Sequence, residues 1–180
     1  ANYDEINTAV TVLKDNNCSN ICLLHCVSGY PTNYDELNLQ TIMDMKKRFD
    51  VVVGLSDHTL EKIVPISAVA SGASVIEKHL TLSRSNSGPD NSFSIEPDEL
   101  KEMVKNVKKT WKVMGKVNYD LKESEKENIK FRRSIYAVKD IIKGDKFTES
   151  NIAAIRPGFG LHPQYYSSLI GRTSKRDMLR

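Results

Sequence analysis

VVVGLSDHT, residues 51–59, decides the fold class of this chain. A short apolar run, 51–55, is followed at once by four polar residues, 56–59. Such a run predicts a strand buried in a parallel sheet. The polar residues, including His58, then stand at the carboxyl end of the strand, which is where parallel α/β folds bind their ligands.

The same arrangement occurs on both sides of this stretch. The apolar run 21–27 and the shorter run 74–77 also read as strands, and they lead into His25 and its neighbours and into His79. Apolar residues at helical spacing predict helices over 2–16, 37–49, 63–70 and 97–114, the third interrupted or begun late at Pro65. The order αβαβαβα predicts an α/β protein with a parallel sheet. Three strands cannot close a barrel, so the sheet is either small and open or the end of a longer barrel.

A second, smaller domain is predicted after residue 133. Residues 116–133 are polar and dense in charge, which fits a linker or a solvated helix equally well. A strand over 134–139, a turn at 143–145 and a loop at 156–160 follow. We therefore divide the chain into 1–115, a linker 116–133, and a β-rich domain 134–180.

Composition excludes several classes of function. The net charge of +3 is small and both signs alternate, which gives no reason to expect nucleic acid or an anionic membrane as partner. No apolar run approaches the roughly 20 residues of a membrane span. The three cysteines, with no signal peptide before them, favour reduced thiols and a cytoplasmic protein. Cys22 and Cys26 are too far apart along one strand for an easy disulfide.

Histidines at neighbouring strand ends are the strongest chemical signal. His58 and His79 could converge on one metal ion, although each could instead be a hydrogen-bonded interior residue. Two histidines leave a metal with open positions, which suits catalysis. His25 is better explained as structural, and Asp57 as a helix cap rather than as a partner of His58.

Six segments, taken together, resemble the N-acetylneuraminate synthase family: LLHCVSGYPT, GLSDHTL, VIEKHLTLSRSNSGPD, SIEPDELKEMV, FRRSIYAVKDIIKGDKFTESNI and IRPGFGLHP. They cover nearly the whole chain in order. The segments SIYAVKDIIKGDKFT and RPGFGLHPQY are most similar to the pseudaminic acid synthase branch, with the legionaminic and neuraminic branches still open.

The resemblance implies a condensation of phosphoenolpyruvate with an open-chain acetamido sugar, releasing phosphate. On the pseudaminic branch that sugar is a 2,4-diacetamido-2,4,6-trideoxy hexose. It also implies a divalent metal, Mn²⁺, Mg²⁺ or Co²⁺, held by residues matching His58 and His79.

Other positions match residues of the family that bind substrate. Ser56 matches a phosphate contact, and Tyr30 and Asp90 match residues that hold the sugar. Ser28 stands where the family has Asn, which puts the phosphate contact there in doubt. Arg156 matches an arginine that, in the family, reaches the sugar from the partner subunit of a domain-swapped homodimer.

The expected architecture is the C-terminal part of a (β/α)8 TIM barrel followed by a small β-clip (SAF, antifreeze-like) domain, truncated at its C-terminus. The family's phosphate-binding lysine and catalytic glutamate lie on earlier barrel strands, so we expect these 180 residues alone to be inactive. A non-catalytic sugar-binding or dimerisation module is the alternative from another class. Another phosphoenolpyruvate-using enzyme with the same barrel would not explain the SAF segment.

Overall fold

A three-stranded parallel sheet organises the first of two units into which the chain divides, Ala1–Lys116 and Val117–Arg180. The computed structural model describes all 180 residues. The strands are β1 (Cys22–Cys26), β2 (Val52–Asp57) and β3 (Val75–Lys78), with β2 in the middle. The predicted alternation and parallel sheet are confirmed, and these residues by themselves form an open sheet.

Four helices connect and cover the strands: α1 (Tyr3–Asp15), α2 (Gln40–Phe49), α3 (Ile63–Ala70) and α4 (Pro97–Met114). The ends of α4 follow from its sequence, because Pro97 occupies the first turn and Gly115, at φ 50°, ends the helix. Pro65 lies in the first turn of α3 and does not interrupt it. The helix predicted from 37 begins at Gln40, after a 3-10 turn at Tyr34–Glu36.

The two faces of the sheet differ in burial. Side chains from one face of β2, Val53 and Leu55, pack with helix residues such as Ile42 in a core that excludes solvent. The opposite face is open: Val52 is 50% exposed and Val75 is 39% exposed. Helices therefore cover only one side of this sheet.

Gly54 occupies a crowded position on the open face. A Cβ built on Gly54 would lie 2.4 Å from the Val75 carbonyl oxygen and 2.7 Å from Cδ2 of Leu24. Gly54 is paired with Leu24 on β1 and with Val75 on β3. The strands approach closely here because β2 has no side chain at this point.

The second unit is small and β-rich. Strands β4 (Ser134–Ala137) and β5 (Ile152–Ile155) pair antiparallel, and a short helix α5 (Tyr166–Leu169) follows. β4 ends two residues before the predicted limit of 139. The core of the second unit is built around three isoleucines: Ile135, Ile141 and Ile152.

The charged stretch before β4 contains a solvated helix, the second of the two alternatives for residues 116–133. Residues Glu123–Phe131 form an exposed 3-10 helix that belongs to the second unit. All three cysteines are free thiols, as predicted. None of the helices has the length and apolarity needed to cross a membrane.

Candidate functional site

Two imidazole rings meet at the carboxyl edge of the sheet. β2 and β3 pair so that Asp57 lies opposite Lys78, and the next residues are His58 and His79. The centroids of the two rings are 5.3 Å apart. His58 is buried at 5% exposure, whereas the side chain of His79 is 37% exposed. The predicted convergence of these histidines is therefore a feature of the structure.

Nδ1 of each ring faces an oxygen, and only the His58 ring is hydrogen-bonded through it. His58 Nδ1 lies 3.1 Å from the Val27 carbonyl oxygen. A carbonyl can only accept, so Nδ1 carries the proton and Nε2 keeps its lone pair. His79 Nδ1 lies 3.4 Å from the Asp90 carboxylate, which is longer than an ordinary N–H···O hydrogen bond. Metal-binding histidines usually donate their other ring N–H to a carbonyl or carboxylate, as His58 does, and this leaves Nε2 of His58 free to bind a divalent ion.

The pair would supply two ligands, because no group of three or more His, Cys, Asp and Glu side chains is placed to hold an ion. The Cys26 sulfur is 4.0 Å from His58 Nδ1, the nitrogen already engaged by Val27. An ion bound by two imidazoles retains positions for substrate or water, which is the arrangement that catalytic metal sites keep.

An aromatic wall stands beside the histidines. The Tyr30 ring lies 4.5 Å from the His58 ring and 5.1 Å from the Phe93 ring, centroid to centroid. Phe93 also contacts His79 at 5.2 Å. Phe93 is buried and Tyr30 is 54% exposed, so Phe93 supports the wall and Tyr30 faces the open side of the site. Phe93 was not among the site residues predicted from the sequence. The available signal was an apolar residue in the polar stretch between the GPD segment and α4.

Ser56 points at a carboxylate. Its Oγ donates to Glu77 Oε1 at 2.7 Å, across the β2–β3 pair. A hydroxyl has a single proton, so contact with a phosphate oxygen would require Ser56 to turn away from Glu77. Ser28 is exposed, with its hydroxyl 4.0 Å from the Cys26 sulfur. Glu77 was missed because the interstrand register is not readable from one strand.

Asp57 and Lys78 form a buried ion pair. Lys78 Nζ donates to Asp57 Oδ2 at 2.8 Å, and the two side chains are 4% and 0% exposed. Lys78 Nζ also donates to the Thr59 carbonyl, and Asp57 Oδ1 accepts from the amide and hydroxyl of Thr59 at 2.9 and 2.8 Å. Every polar atom is therefore partnered. Removing one member of such a pair typically costs about 3–5 kcal/mol.

The prediction that Asp57 caps a helix is wrong. The following helix, α3, begins at Ile63 and is preceded by Lys62. Asp57 lies instead on the core-facing side of β2, where its charge is compensated by Lys78 from β3. A capping signal and a buried ion pair share the same residue type, and only the interstrand register distinguishes them.

The loop that contains Asp90 is fixed to the start of α4. Both terminal nitrogens of Arg84 donate to Glu99, at 2.5 and 2.8 Å, and its amide donates to Glu96 at 2.8 Å. The hydrogen bond from Arg84, followed by the backbone hydrogen bond at Glu96, lowers the pKa of Glu99 to about 2. The loop therefore leaves β3 and returns to α4 through a charged anchor.

Two further predicted residues are His25 and Arg156. His25 Nε2 donates to the Leu37 carbonyl at 2.6 Å, which is the structural role we expected. Arg156 belongs to the second unit, directly after β5, and is exposed. Its action on a sugar therefore stays a prediction.

Comparison with known proteins identifies two matching family models. The NeuB family model matches residues 1–119, and the SAF domain model matches residues 132–180. A pseudaminic acid synthase from Campylobacter jejuni is 40% identical over 99% of this chain and 52% of its own length. An N,N'-diacetyllegionaminic acid synthase from the same species is also 40% identical, over 98% of this chain and 54% of its own length.

A solved structure gives the same result. The N-acetylneuraminic acid (sialic acid) synthetase of Leptospira borgpetersenii, in complex with citrate, superimposes with a TM-score of 0.68 at 39% identity. That match covers 73% of this chain and 46% of the other. The chain spans about half the length of the curated relatives that it matches.

Proposed function

The chain belongs to the NeuB family, and from that membership we propose that it supplies the metal-binding and sugar-binding edge of a nonulosonic acid synthase. The reaction is the condensation of phosphoenolpyruvate with an open-chain acetamido sugar: the enol carbon forms a bond to the aldehyde carbon, water adds to the phosphate-bearing carbon, and phosphate is released. The observation that carries the proposal is the pair formed by His58 and His79, whose rings stand 5.3 Å apart at the carboxyl edge of β2 and β3. A non-catalytic sugar-binding module has no need of that pair.

The proposed roles follow from the donor chemistry of each side chain. His58 and His79 would hold Mn²⁺, Mg²⁺ or Co²⁺, His58 through Nε2 because its Nδ1 donates to the Val27 carbonyl, with Nδ1 of His79 facing Asp90. When bound, such an ion supplies Lewis-acid polarisation of the sugar aldehyde. Phe93, the buried member of the aromatic wall, keeps water from one side of the two imidazole rings.

The sugar contacts are proposed for exposed residues around the pair. Tyr30 presents an aromatic face and a hydroxyl. The Asp90 side chain is 55% exposed, and its Oδ1 remains available to accept from sugar hydroxyls while Oδ2 faces His79. Ser56 and Ser28 are the candidate phosphate contacts, provided that Ser56 turns from Glu77.

We propose a 2,4-diacetamido-2,4,6-trideoxy hexose as the sugar, giving pseudaminic acid. The two Campylobacter relatives are equally identical to this chain at 40%, so overall identity does not separate the pseudaminic from the legionaminic product. The choice depends on the similarity of the SAF segment and the loop 83–97. Legionaminate and N-acetylneuraminate synthesis remain the alternatives.

The rest of the enzyme is also part of the proposal. We place these strands at the end of a (β/α)8 barrel whose earlier strands bring the phosphate-binding lysine and the catalytic glutamate. The exposed valines on the open face of the sheet are consistent with further strands closing over it. We further propose a cytoplasmic, domain-swapped homodimer in which Arg156 completes the partner's site.

The test is substitution of each histidine in the complete protein. His58→Ala and His79→Ala should each lose bound Mn²⁺ and phosphate release from phosphoenolpyruvate, by about 10²-fold or more. His25→Gln is the matched control, because its amide can still donate to Leu37 and it lies apart from the pair. Full turnover by either alanine variant would overturn the assignment. A clear preference for N-acetylmannosamine over the trideoxy sugar would move the product to the neuraminic branch.

A further inference from the structure

The buried ion pair Asp57–Lys78 lies immediately beside both histidines of the candidate metal site. Asp57 is the last residue of β2 and Lys78 is the last residue of β3, and His58 and His79 follow them directly. The Lys78 ammonium group bridges Asp57 and the Thr59 carbonyl, the two residues that flank His58. One side chain of β3 therefore binds the side chain of the residue before His58 and the backbone carbonyl of the residue after it.

The Asp57–Lys78 pair lies on the helix-covered face of the sheet, whereas the Ser56–Glu77 pair lies on the open face. Asp57 and Lys78 are in register with each other and belong to the side that carries Val53 and Leu55. Ser56 and Glu77 are in register on the other side. The ion pair thus cannot touch substrate, and its influence passes through the backbone of the next residue on each strand.

From these contacts we propose that Asp57 and Lys78 are positioning residues that fix the separation and orientation of the His58 and His79 rings. This inference rests on the proposed function. A buried charge pair is an expensive way to join two strands, because apolar residues of similar size usually stabilise as well. The pair differs from apolar residues in that its hydrogen bonds are directional. Four hydrogen bonds made by Asp57 and Lys78 fix the position and orientation of the two strand ends.

The consequence is measurable in metal affinity. Loss of a residue that orients metal ligands typically lowers affinity by about 10–100-fold. Lys78→Met keeps the length and apolar stem of the side chain and removes the ammonium group. Asp57→Asn keeps the shape and the acceptor for Thr59 and removes the charge.

The chain offers a matched control pair. Lys62 Nζ lies 2.5 Å from Glu102 Oε2, and the two side chains are 49% and 51% exposed. Lys62→Met makes the same chemical change in an exposed ion pair away from the histidines. Exposed pairs contribute little to stability, so this variant should behave as the parent.

The experiment measures Mn²⁺ binding by the complete protein, from the electron paramagnetic resonance signal of the free ion, with circular dichroism and Tm recorded for each variant. We expect the Mn²⁺ Kd to rise about 10–100-fold for Lys78→Met and Asp57→Asn, at temperatures where both are folded, and to be unchanged for Lys62→Met. Lys78→Arg, which retains the charge and can reach Asp57, should recover part of the affinity. Parent-like affinity in folded Lys78→Met and Asp57→Asn would overturn the proposal.

A measurement on the metal-free protein distinguishes failure of the proposed function from failure of the positioning role. If the parent binds no Mn²⁺, the proposed function is wrong, and the positioning role is then tested by the imidazole resonances of the metal-free protein. Folded Asp57→Asn should shift or broaden the resonances of His58 and His79 together, whereas Lys62→Met should leave both as in the parent. If Lys78→Met does not fold, Asp57→Asn and Lys78→Arg carry both measurements. Unchanged ring resonances in folded Asp57→Asn would show that the pair only holds the strands together.

Discussion

Replacing Gly54 with alanine should force β2 and β3 apart. The added Cβ would lie 2.4 Å from the Val75 carbonyl oxygen, and ordinary contact begins near 3.4 Å. The obstructing atom is backbone, so it cannot rotate away as a side chain would. The strands must therefore separate or twist locally by about 1 Å.

That displacement is large compared with a hydrogen bond. The Ser74 amide donates to the Val53 carbonyl at 2.8 Å, just beyond the crowded point. Lengthening this bond by about 1 Å would break it, since interactions beyond about 3.5 Å are no longer hydrogen bonds. Overpacking of this kind costs about 1–3 kcal/mol. The alanine also restricts the unfolded chain, which returns about 0.4–1 kcal/mol. We expect a net loss of about 1–2 kcal/mol.

Thermal unfolding and hydrogen exchange of the complete protein provide the assay. The variant should show a Tm lower by several degrees, at about 2–4 °C per kcal/mol, and faster exchange of the β2–β3 amides. Gly88→Ala is the control, because its Cβ would meet only the Asn91 side chain, at 3.1 Å. That side chain can move, so stability should stay near the parent's. An unchanged Tm together with unchanged protection of the Ser74 amide in Gly54→Ala would refute the reasoning.

Three other predictions concern single interactions. The Arg84 hydrogen bond is the main cause that lowers the pKa of Glu99 from 4.5 to about 2. The Arg84–Glu99 ion pair therefore stabilises the fold above pH 4.5, and its contribution is lost as the pH falls toward 2. Allowing for solvent screening, Glu99→Gln should remove about 1 kcal/mol of acid-dependent stability, seen as a flatter dependence of Tm on pH between 4.5 and 2, and an unchanged dependence would contradict this. His25→Ala should destabilise the protein by about 1–3 kcal/mol in chemical denaturation, because the Leu37 carbonyl loses its donor, while metal content stays unchanged. Mixing an Arg156→Ala subunit with one inactivated at the metal histidines should restore one working site per dimer, and no recovery of phosphate release in confirmed heterodimers would count against the swap.

The order of elements could be read from the sequence because it depends on local patterns. Apolar runs of strand length, Pro97 at the start of α4 and Gly115 at its end each act within a few residues. The meeting of His58 and His79 was also accessible, since the carboxyl ends of neighbouring parallel strands share one edge.

The contacts within the site could not be read in the same way. The sequence favours a helix cap for Asp57, because its partner, Lys78, is 21 residues away and the contact is evident only once β2 and β3 are paired. Phe93 packs against Tyr30, which is far from it in sequence. Interstrand register and loop closure decide both contacts, and neither leaves a periodic signal in one chain.

The two histidines differ in how mutation can reach them. His58 is oriented by the main-chain oxygen of Val27, an acceptor that every amino acid provides at that position. His79 faces the Asp90 side chain, which a single substitution removes. The anchor of His58 therefore survives any substitution that leaves the backbone in place, whereas the surroundings of His79 depend on one side chain.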